Sequence, residues 1–358
     1  MAIQLAAAVT SFVICFLIIP VIIKYSLEKN LVDIPGRRKI HKKLTPSMGG
    51  IAIFCGFFIS SFIWVNLHSW GAIKFIMVAL FAIFIIGVRD DLIPLRWMYK
   101  LIGQILAASL LIFLLDLRIK SFYGLFGVHE LPEIATYIIT YLTIIVITNS
   151  FNLIDGLDGL AGTIATIALL TFGIWFYLLG DVIFSILAFS MFGSILAFLI
   201  FNWEPSEIFM GDTGALVIGM TLAIMAIRFM DSNFNLNEFH PYRFRASIGS
   251  VICIIIIPLV DTLRIVILRL SKRQSPFKPD KSHIHHALMR LGLSHSRTTL
   301  FLGGIQLLFI GFAVAFHEYS ERYILSGVIA LSFIFSFILD RLILRKLSVK
   351  DTLEGDPE

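Results

Sequence analysis

Asn149, Asn152, Asp155 and Asp158 recur every third residue in Asn149-Ser-Phe-Asn-Leu-Ile-Asp-Gly-Leu-Asp-Gly-Leu160, a polar island between two long apolar runs. Their carboxylates and amides are hard oxygen ligands, suited to a divalent cation and to the phosphates it accompanies. On an α-helix a three-residue step turns about 300°, so the four would fan over about half the circumference; in a 3₁₀ turn they would nearly eclipse. Either way they are expected to converge on one side. Gly156 and Gly159 allow a sharp turn or the close approach of a bulky ligand. A plain polar turn between hydrophobic helices would contain the same residues, so their meaning rests on their company.

That company is chemical. In Arg89-Asp90-Asp91 two adjacent carboxylates follow an apolar run, and must be solvated, paired or metal-bound. They cap the next segment or, pointing about 100° apart on a helix, do different jobs. Phe209-Met-Gly-Asp-Thr-Gly214 sets Asp212 between glycines at a helix start, as an N-cap or as a hard metal ligand. Asn202 is a capping amide or a hydrogen-bonding group for a planar base. Asp261-Thr-Leu-Arg264 precedes Pro279-Asp-Lys-Ser-His-Ile-His-His286, whose His283, His285 and His286 poorly fit a closed zinc site. They form a solvated basic loop or, with Arg and Lys nearby, a pyrophosphate clamp. Lys42-Lys43-Leu-Thr-Pro-Ser-Met-Gly-Gly50 joins basic, hydroxyl and glycine groups. Jointly these suit an enzyme that joins a nucleotide-activated group to a lipid phosphate, with Mg²⁺ neutralising the pyrophosphate.

The elements that must position these groups are membrane helices. The 358 residues are 58% hydrophobic and 15% charged, with mean hydropathy +0.90, far from soluble composition. Eleven apolar runs are expected to span, near 2–23, 47–67, 72–88, 98–116, 134–148, 159–179, 182–201, 213–230, 246–269, 299–317 and 322–345. The first lacks a basic leader and a small-residue cleavage site, and is expected to stay as a helix. With the N-terminus outside and the C-terminus inside, all 29 basic residues except Lys74, Arg118, Lys120, Arg228, Arg243, Arg245 and Arg322 fall inside, as the positive-inside rule requires. Every cluster of chemical interest then lands on the cytoplasmic side. The fold class is all-α and polytopic, one membrane domain over 1–350 with a short acidic tail, 351–358, expected to be disordered. The outer stretches 117–133 and 231–245 read as cover without catalysis. Cys15, Cys55 and Cys253 sit in apolar runs as small core residues. No basic and aromatic interleaving suggests nucleic acid, and no internal repeat suggests a repeat-built transporter.

With these motifs in hand, the sequence resembles the polyprenyl-phosphate N-acetylhexosamine-1-phosphate transferase superfamily, and its WecA/TagO branch more than MraY-like enzymes. The match runs in order through T-P-S-M-G-G, R-D-D, N-S-F-N-L-I-D-G-L-D-G-L, F-N-W-E-P-S-E-I-F-M-G-D-T-G, D-T-L-R and H-I-H-H. Ile284, where MraY-like enzymes carry consecutive histidines, points to the branch that uses UDP-N-acetylglucosamine. The resemblance implies transfer of GlcNAc-1-phosphate from UDP-GlcNAc to undecaprenyl phosphate with release of UMP, at the cytoplasmic face of a bacterial inner membrane. The product would start O-antigen, common-antigen or teichoic-acid assembly. It implies Mg²⁺, or Mn²⁺ in its place, and a homodimer. Asp212 would be the main metal ligand, with Asp91 and Asp155 as further ligands and Asp90 and Asp91 near the lipid phosphate. Asp155 and Asp158 would lie at the diphosphate beside Asn149 and Asn152, and Asn202 and Phe209 near the uracil. Arg264, His283, His285 and His286 would grip the pyrophosphate and sugar, and Lys42 joins the substrate contacts.

Direct attack by the lipid phosphate, oriented by Asp90, is expected over a two-step route through a phosphosugar on Asp155 or Asp158. A phosphate monoester, with its second pKa near 6, needs little help from a base. Other UDP-HexNAc donors, including MraY-like ones, remain alternatives. An ion-coupled transporter is the alternative of another class, but it would place ionisable groups at mid-membrane, where these runs are nearly free of charge.

Overall fold

Long apolar segments leave the backbone no polar partner in lipid but itself, and so they fold as helices. The computed structural model describes residues 1–29, 32–33, 45–65, 70–271, 273 and 283–354. Helices α1 (Ala2–Glu28), α2 (Gly49–Trp64), α3 (Trp70–Leu92), α4 (Trp97–Leu115), α5 (Glu133–Ile154), α6 (Leu160–Leu178), α7 (Val182–Asn202) and α8 (Gly211–Phe234) follow one another. Then come α9 (Ser247–Ile254), α10 (Ile256–Ser271), the short α11 (Ile284–Arg290), α12 (His295–Ala315) and α13 (Glu321–Glu354). Two strands of two residues, β1 (Val32–Asp33) and β2 (Thr45–Pro46), pair antiparallel with Val32 opposite Pro46.

Within the described residues each of the eleven expected runs falls on a helix, the ninth on a bent pair. Among the described residues eight helices are long and apolar enough to cross a membrane, or nine with the bent α9–α10 pair taken as one span. The 16 residues of α2 are shorter than a usual crossing. The protein is a multi-pass membrane protein.

Helix α8 is the axis of the bundle: Thr213 to Ile227 is buried without interruption, with α3 and α5 packed along it. Gly87 of α3 and Gly50 of α2 bring their backbones onto its first turn. A Cβ at Gly87 would overlap Thr213, and one at Gly50 would overlap Gly214. Around this axis, α1, α2 and α7 pack through serines, with Ser11 Oγ donating to Ser190 O at 2.5 Å and Ser60 Oγ to Ala7 O at 2.6 Å. Small hydroxyl residues permit such close approach and satisfy their own polar groups.

The ninth run is not the single span 246–269 expected. It breaks at Ile255, and α9 and α10 meet at 89°. Pro258, four residues beyond Ile254, has no N–H for the Ile254 carbonyl, and its ring crowds that carbonyl. Gln306 Nε2 from α12 donates to it instead, at 2.8 Å. The bend carries Asp261 and Arg264 on a helix that departs sharply from the line of α9. At the C-terminus α13 runs on through Glu354, so the expected disordered tail begins as helix, and residues 355–358 lie outside the described residues.

Candidate active site

The ends of α3, α4, α5 and α8 bring two carboxylates and one ammonium together. Asp90 lies in the last turn of α3, Lys100 in the first turn of α4 and Asp212 in the first turn of α8. Lys100 Nζ pairs with Asp90 Oδ2, and lies 3.2 Å from Asp212 Oδ2. Asp90 is 6% exposed, and its Oδ1 accepts Leu95 N at 2.6 Å, which fixes the link into α4. Asn152, near the end of α5, donates Nδ2 to Asp212 Oδ1 at 2.8 Å. Opposite charges at such distances stabilise one another strongly where water is partly excluded.

Asp91, expected as a metal ligand, is placed differently. Its Oδ1 accepts Asp212 N at 2.8 Å, and its Oδ2 accepts Thr213 N at 3.1 Å and Thr213 Oγ1 at 2.5 Å. It therefore caps α8 from a neighbouring helix, where unsatisfied N–H groups and the helix dipole favour an anion. The N-cap reading of Asp212 is corrected too: Asp212 is inside the helix, and Asp91 supplies the cap. Gly211, at φ 71°, makes the turn before it, and a Cβ there would meet Asp91 Oδ2 at 2.7 Å.

The four polar residues at the end of α5 and just beyond it do not share one side. Asn149 exchanges amide hydrogen bonds with Gln104 of α4, at 2.7 and 3.2 Å, so only Asn152 of the pair reaches Asp212. Their offset of about 60° around α5 is enough to send them to different neighbours. Beyond Ile154 the helix stops, and the spacing of a helical face no longer applies. Asp155 is the C-terminal cap residue, and its carboxyl is pushed up to about 7 by burial and then by the charges of Asp212, Asp91 and Asp158. Asp158 turns away to Ser206, whose Oγ donates to Oδ1 at 3.0 Å, and to His295.

The histidine segment docks beside this turn. Asp261 of α10 accepts Ile284 N on Oδ1 at 2.7 Å, and its Oδ2 lies 2.7 Å from His283 Nδ1. This fixes the start of α11 and the tautomer of His283. His285, 2% exposed, stacks on His283 with ring centroids 5.4 Å apart and contacts His286 at 4.3 Å. Burial first, then the adjoining histidines, pull its pKa down to about 3, so its ring is neutral. A Cβ on Gly156 would sit 3.1 Å from its Nε2, so α11 packs directly on the connection after α5.

Other expected contacts are engaged within the protein. Asn202 accepts Gly159 N at 2.9 Å and donates to Ile208 O at 2.8 Å, which binds the loop after α7 to the start of α6. Arg264 pairs with Asp340 of α13. Phe209 is half-buried, and its backbone N donates to Pro46 O at 2.7 Å. Lys42 lies outside the described residues. Three residues that the sequence did not single out prove central. Lys100 passed as one more inner basic charge, Asp261 as part of a motif without a role, and His295 went unremarked. Only folding reveals that their partners lie 10, 22 and 137 residues away.

A divalent cation fits this donor set without a closed cage. Among the described residues no three His, Cys, Asp or Glu side chains converge on a metal position. Mg²⁺ usually keeps several waters and takes only one or two carboxylates along with substrate phosphates. Asp90 and Asp212, facing one ammonium, are the two carboxylates that could take such a cation.

Residues 73–230, which carry Asp90 through Asp212, match glycosyl transferase family 4. The chain is 33% identical over 296 residues to a protein of Bacillus subtilis named a probable undecaprenyl-phosphate N-acetylglucosaminyl 1-phosphate transferase, covering 82% of this chain and 79% of that one. It is 26% identical over 349 residues to the undecaprenyl-phosphate alpha-N-acetylglucosaminyl 1-phosphate transferase of Salmonella typhi, with 94% and 90% covered. A decaprenyl-phosphate N-acetylglucosaminephosphotransferase of Mycobacterium leprae is 28% identical over 76% of this chain and 73% of its own. The chain thus belongs to glycosyl transferase family 4, the polyprenyl-phosphate N-acetylhexosamine-1-phosphate transferases.

Proposed function

We infer that this protein transfers N-acetylglucosamine 1-phosphate to undecaprenyl phosphate, with UDP-GlcNAc as the donor and UMP as the second product. The observation that carries the reading is the meeting of Asp90, Lys100, Asn152 and Asp212, from four helices, at one end of an apolar bundle. Family membership and the names of the relatives support the same activity. By the distribution of basic residues, this end faces the cytoplasm across the inner membrane, with eleven crossings and the N-terminus outside.

Direct displacement is the route these residues favour. An oxygen of the lipid phosphate bonds to the β-phosphorus of the donor, the bond to the bridging oxygen breaks, and UMP leaves with that electron pair. The attacking phosphate is largely a dianion at neutral pH, so Asp90 has to orient it more than deprotonate it. A bound Mg²⁺ or Mn²⁺ supplies the charge that offsets the diphosphate and the departing UMP. Lys100 offers a donor to the same phosphates, and neutral His285 with His286 lines the sugar-phosphate side. Asp158 is a poor nucleophile for a two-step route, because both its oxygens already face hydrogen-bond donors.

An apolar groove gives the prenyl tail a path. It runs between α5 and the bent α9–α10 pair, lined by Leu142, Val146, Ile252, Ile255 and Leu259. Its inner end, at Leu259, is two residues from Asp261. The test is the lipid product: purified protein with Mg²⁺, UDP-GlcNAc and undecaprenyl phosphate yields a lipid heavier by one GlcNAc-phosphate. A product from another UDP-HexNAc, with none from UDP-GlcNAc, would replace the donor assigned here.

A further inference from the structure

Three segments meet around one buried carboxylate: the connection after α5, the loop between α7 and α8, and the first turn of α12. Asp158 is 3% exposed; Ser206 donates from Oγ to its Oδ1 at 3.0 Å and from N to its Oδ2 at 3.4 Å. His295 Nδ1 lies 3.3 Å from the same Oδ2, with the imidazole 6% exposed. Thr299 Oγ1 donates to the Asp158 carbonyl at 3.1 Å. Beside this set, Glu204 Oε2 accepts both Ser296 N and Ser296 Oγ at 2.8 Å. Those two bonds hold its carboxyl below the usual range. Buried carboxylates demand such partners; Ser206 supplies the hydrogen bonds, and His295 stands at ion-pair distance.

We propose that His295 is a positioning residue of this transferase, a latch that ties α12 through Asp158 to the loop 203–210 and so fixes the donor side of the site. The loop has two anchors. At its far end Phe209 N donates to Pro46 O at 2.7 Å, and Gly49 N and Gly50 N donate to Phe209 O and Met210 O at 2.9 and 2.8 Å. At its near end the anchors are Asn202, Glu204 and Ser206. Between the two anchors there is little slack, and the chain passes straight on to Gly211 and Asp212. The His285 ring packs on Gly156, two residues before Asp158, so the latch adjoins the histidine helix through the connection after α5. The assignment rests on the function proposed above, in which the residues that meet at Asp212, just beyond this loop, act on UDP-GlcNAc.

The test compares wild type, His295→Ala and His295→Asn in lipid nanodiscs. The asparagine amide keeps a polar group beside Asp158 Oδ2, whereas alanine does not. The expected result is a KM for UDP-GlcNAc raised about tenfold in His295→Ala, with the KM for undecaprenyl phosphate within about twofold and most of the loss recovered in His295→Asn. Amide hydrogen exchange in 203–210 is expected to quicken about tenfold in the alanine variant, and to stay unchanged in α1 and α2. Equal increases in both KM values, no recovery with asparagine, or unaltered exchange would overturn the latch. If wild type releases no UMP from UDP-GlcNAc, the functional reading fails by itself. Hydrogen exchange then decides whether His295 ties the loop: faster exchange supports it and unaltered exchange ends it.

Discussion

Replacing Lys100 with glutamine removes the positive charge that pairs with both Asp90 and Asp212. The Lys100 side chain is 24% exposed, that of Asp90 3% and that of Asp212 30%, so the pair is only partly screened by water. Two like charges about 4 Å apart repel by about 4 kcal/mol at an effective dielectric of about 20. The exposure of Asp212 lowers this, and about 1–3 kcal/mol is the expected loss when such a pair keeps its acids and loses its base. That energy becomes available to an incoming dication. Lys100→Gln is therefore expected to bind Mn²⁺ about tenfold more tightly or better without substrates, about 1.4 kcal/mol or more. Turnover moves the other way, falling about a hundredfold, because the phosphates lose a donor. Mn²⁺ titration followed by electron paramagnetic resonance, beside UMP release, measures both. An unchanged or weaker cation affinity in the variant would refute the reasoning, since Lys100 would then not stand where the cation goes.

Two further outcomes follow from the geometry. Asp155 has a folded-state pKa raised to about 7, against about 3.9 for an unfolded aspartate. The cation-free folded state thus holds an extra proton between about pH 4 and pH 7, and its stability falls as pH rises through that window. Asp155→Asn flattens this fall in a thermal-unfolding series. In wild type Mg²⁺ binding tightens between pH 6 and pH 8 as the proton leaves; equal slopes in both proteins would contradict the assignment. In the groove beside the bent helix, Leu142→Trp obstructs the proposed prenyl path and raises the KM for undecaprenyl phosphate about tenfold, leaving the KM for UDP-GlcNAc unchanged. Equal effects on the two substrates would remove the groove from the account.

The helices were legible because an apolar run long enough to cross a membrane has one stable backbone solution. Their ends carry the same clarity: Arg89-Asp90-Asp91 and Gly211-Asp212 mark where α3 stops and α8 starts. The break at Ile255 is not legible in the sequence, because Pro258 alone is compatible with an unbroken membrane helix. What decides the outcome is Gln306, 52 residues from the carbonyl it satisfies. The every-third-residue pattern misled for a related reason. Periodicity describes a helix face only while the helix lasts, and α5 ends before Asp155. Residue type proved a better guide than spacing, because carboxylates at helix ends do meet, but each in its own way. Asp90 meets a lysine, Asp91 meets the N-terminus of α8, and Asp158 meets Ser206 and His295.

The most direct test is UMP release by the purified protein supplied with undecaprenyl phosphate, UDP-GlcNAc and Mg²⁺, set beside Asp212→Asn. The account predicts sustained release by wild type that depends on both substrates and on the cation, and a loss of at least about a hundredfold in the variant. Full activity in Asp212→Asn would show that the chemistry happens away from the meeting of α3, α4, α5 and α8. No UMP from any UDP-HexNAc would contradict the enzyme itself and return the buried charges to a transport role.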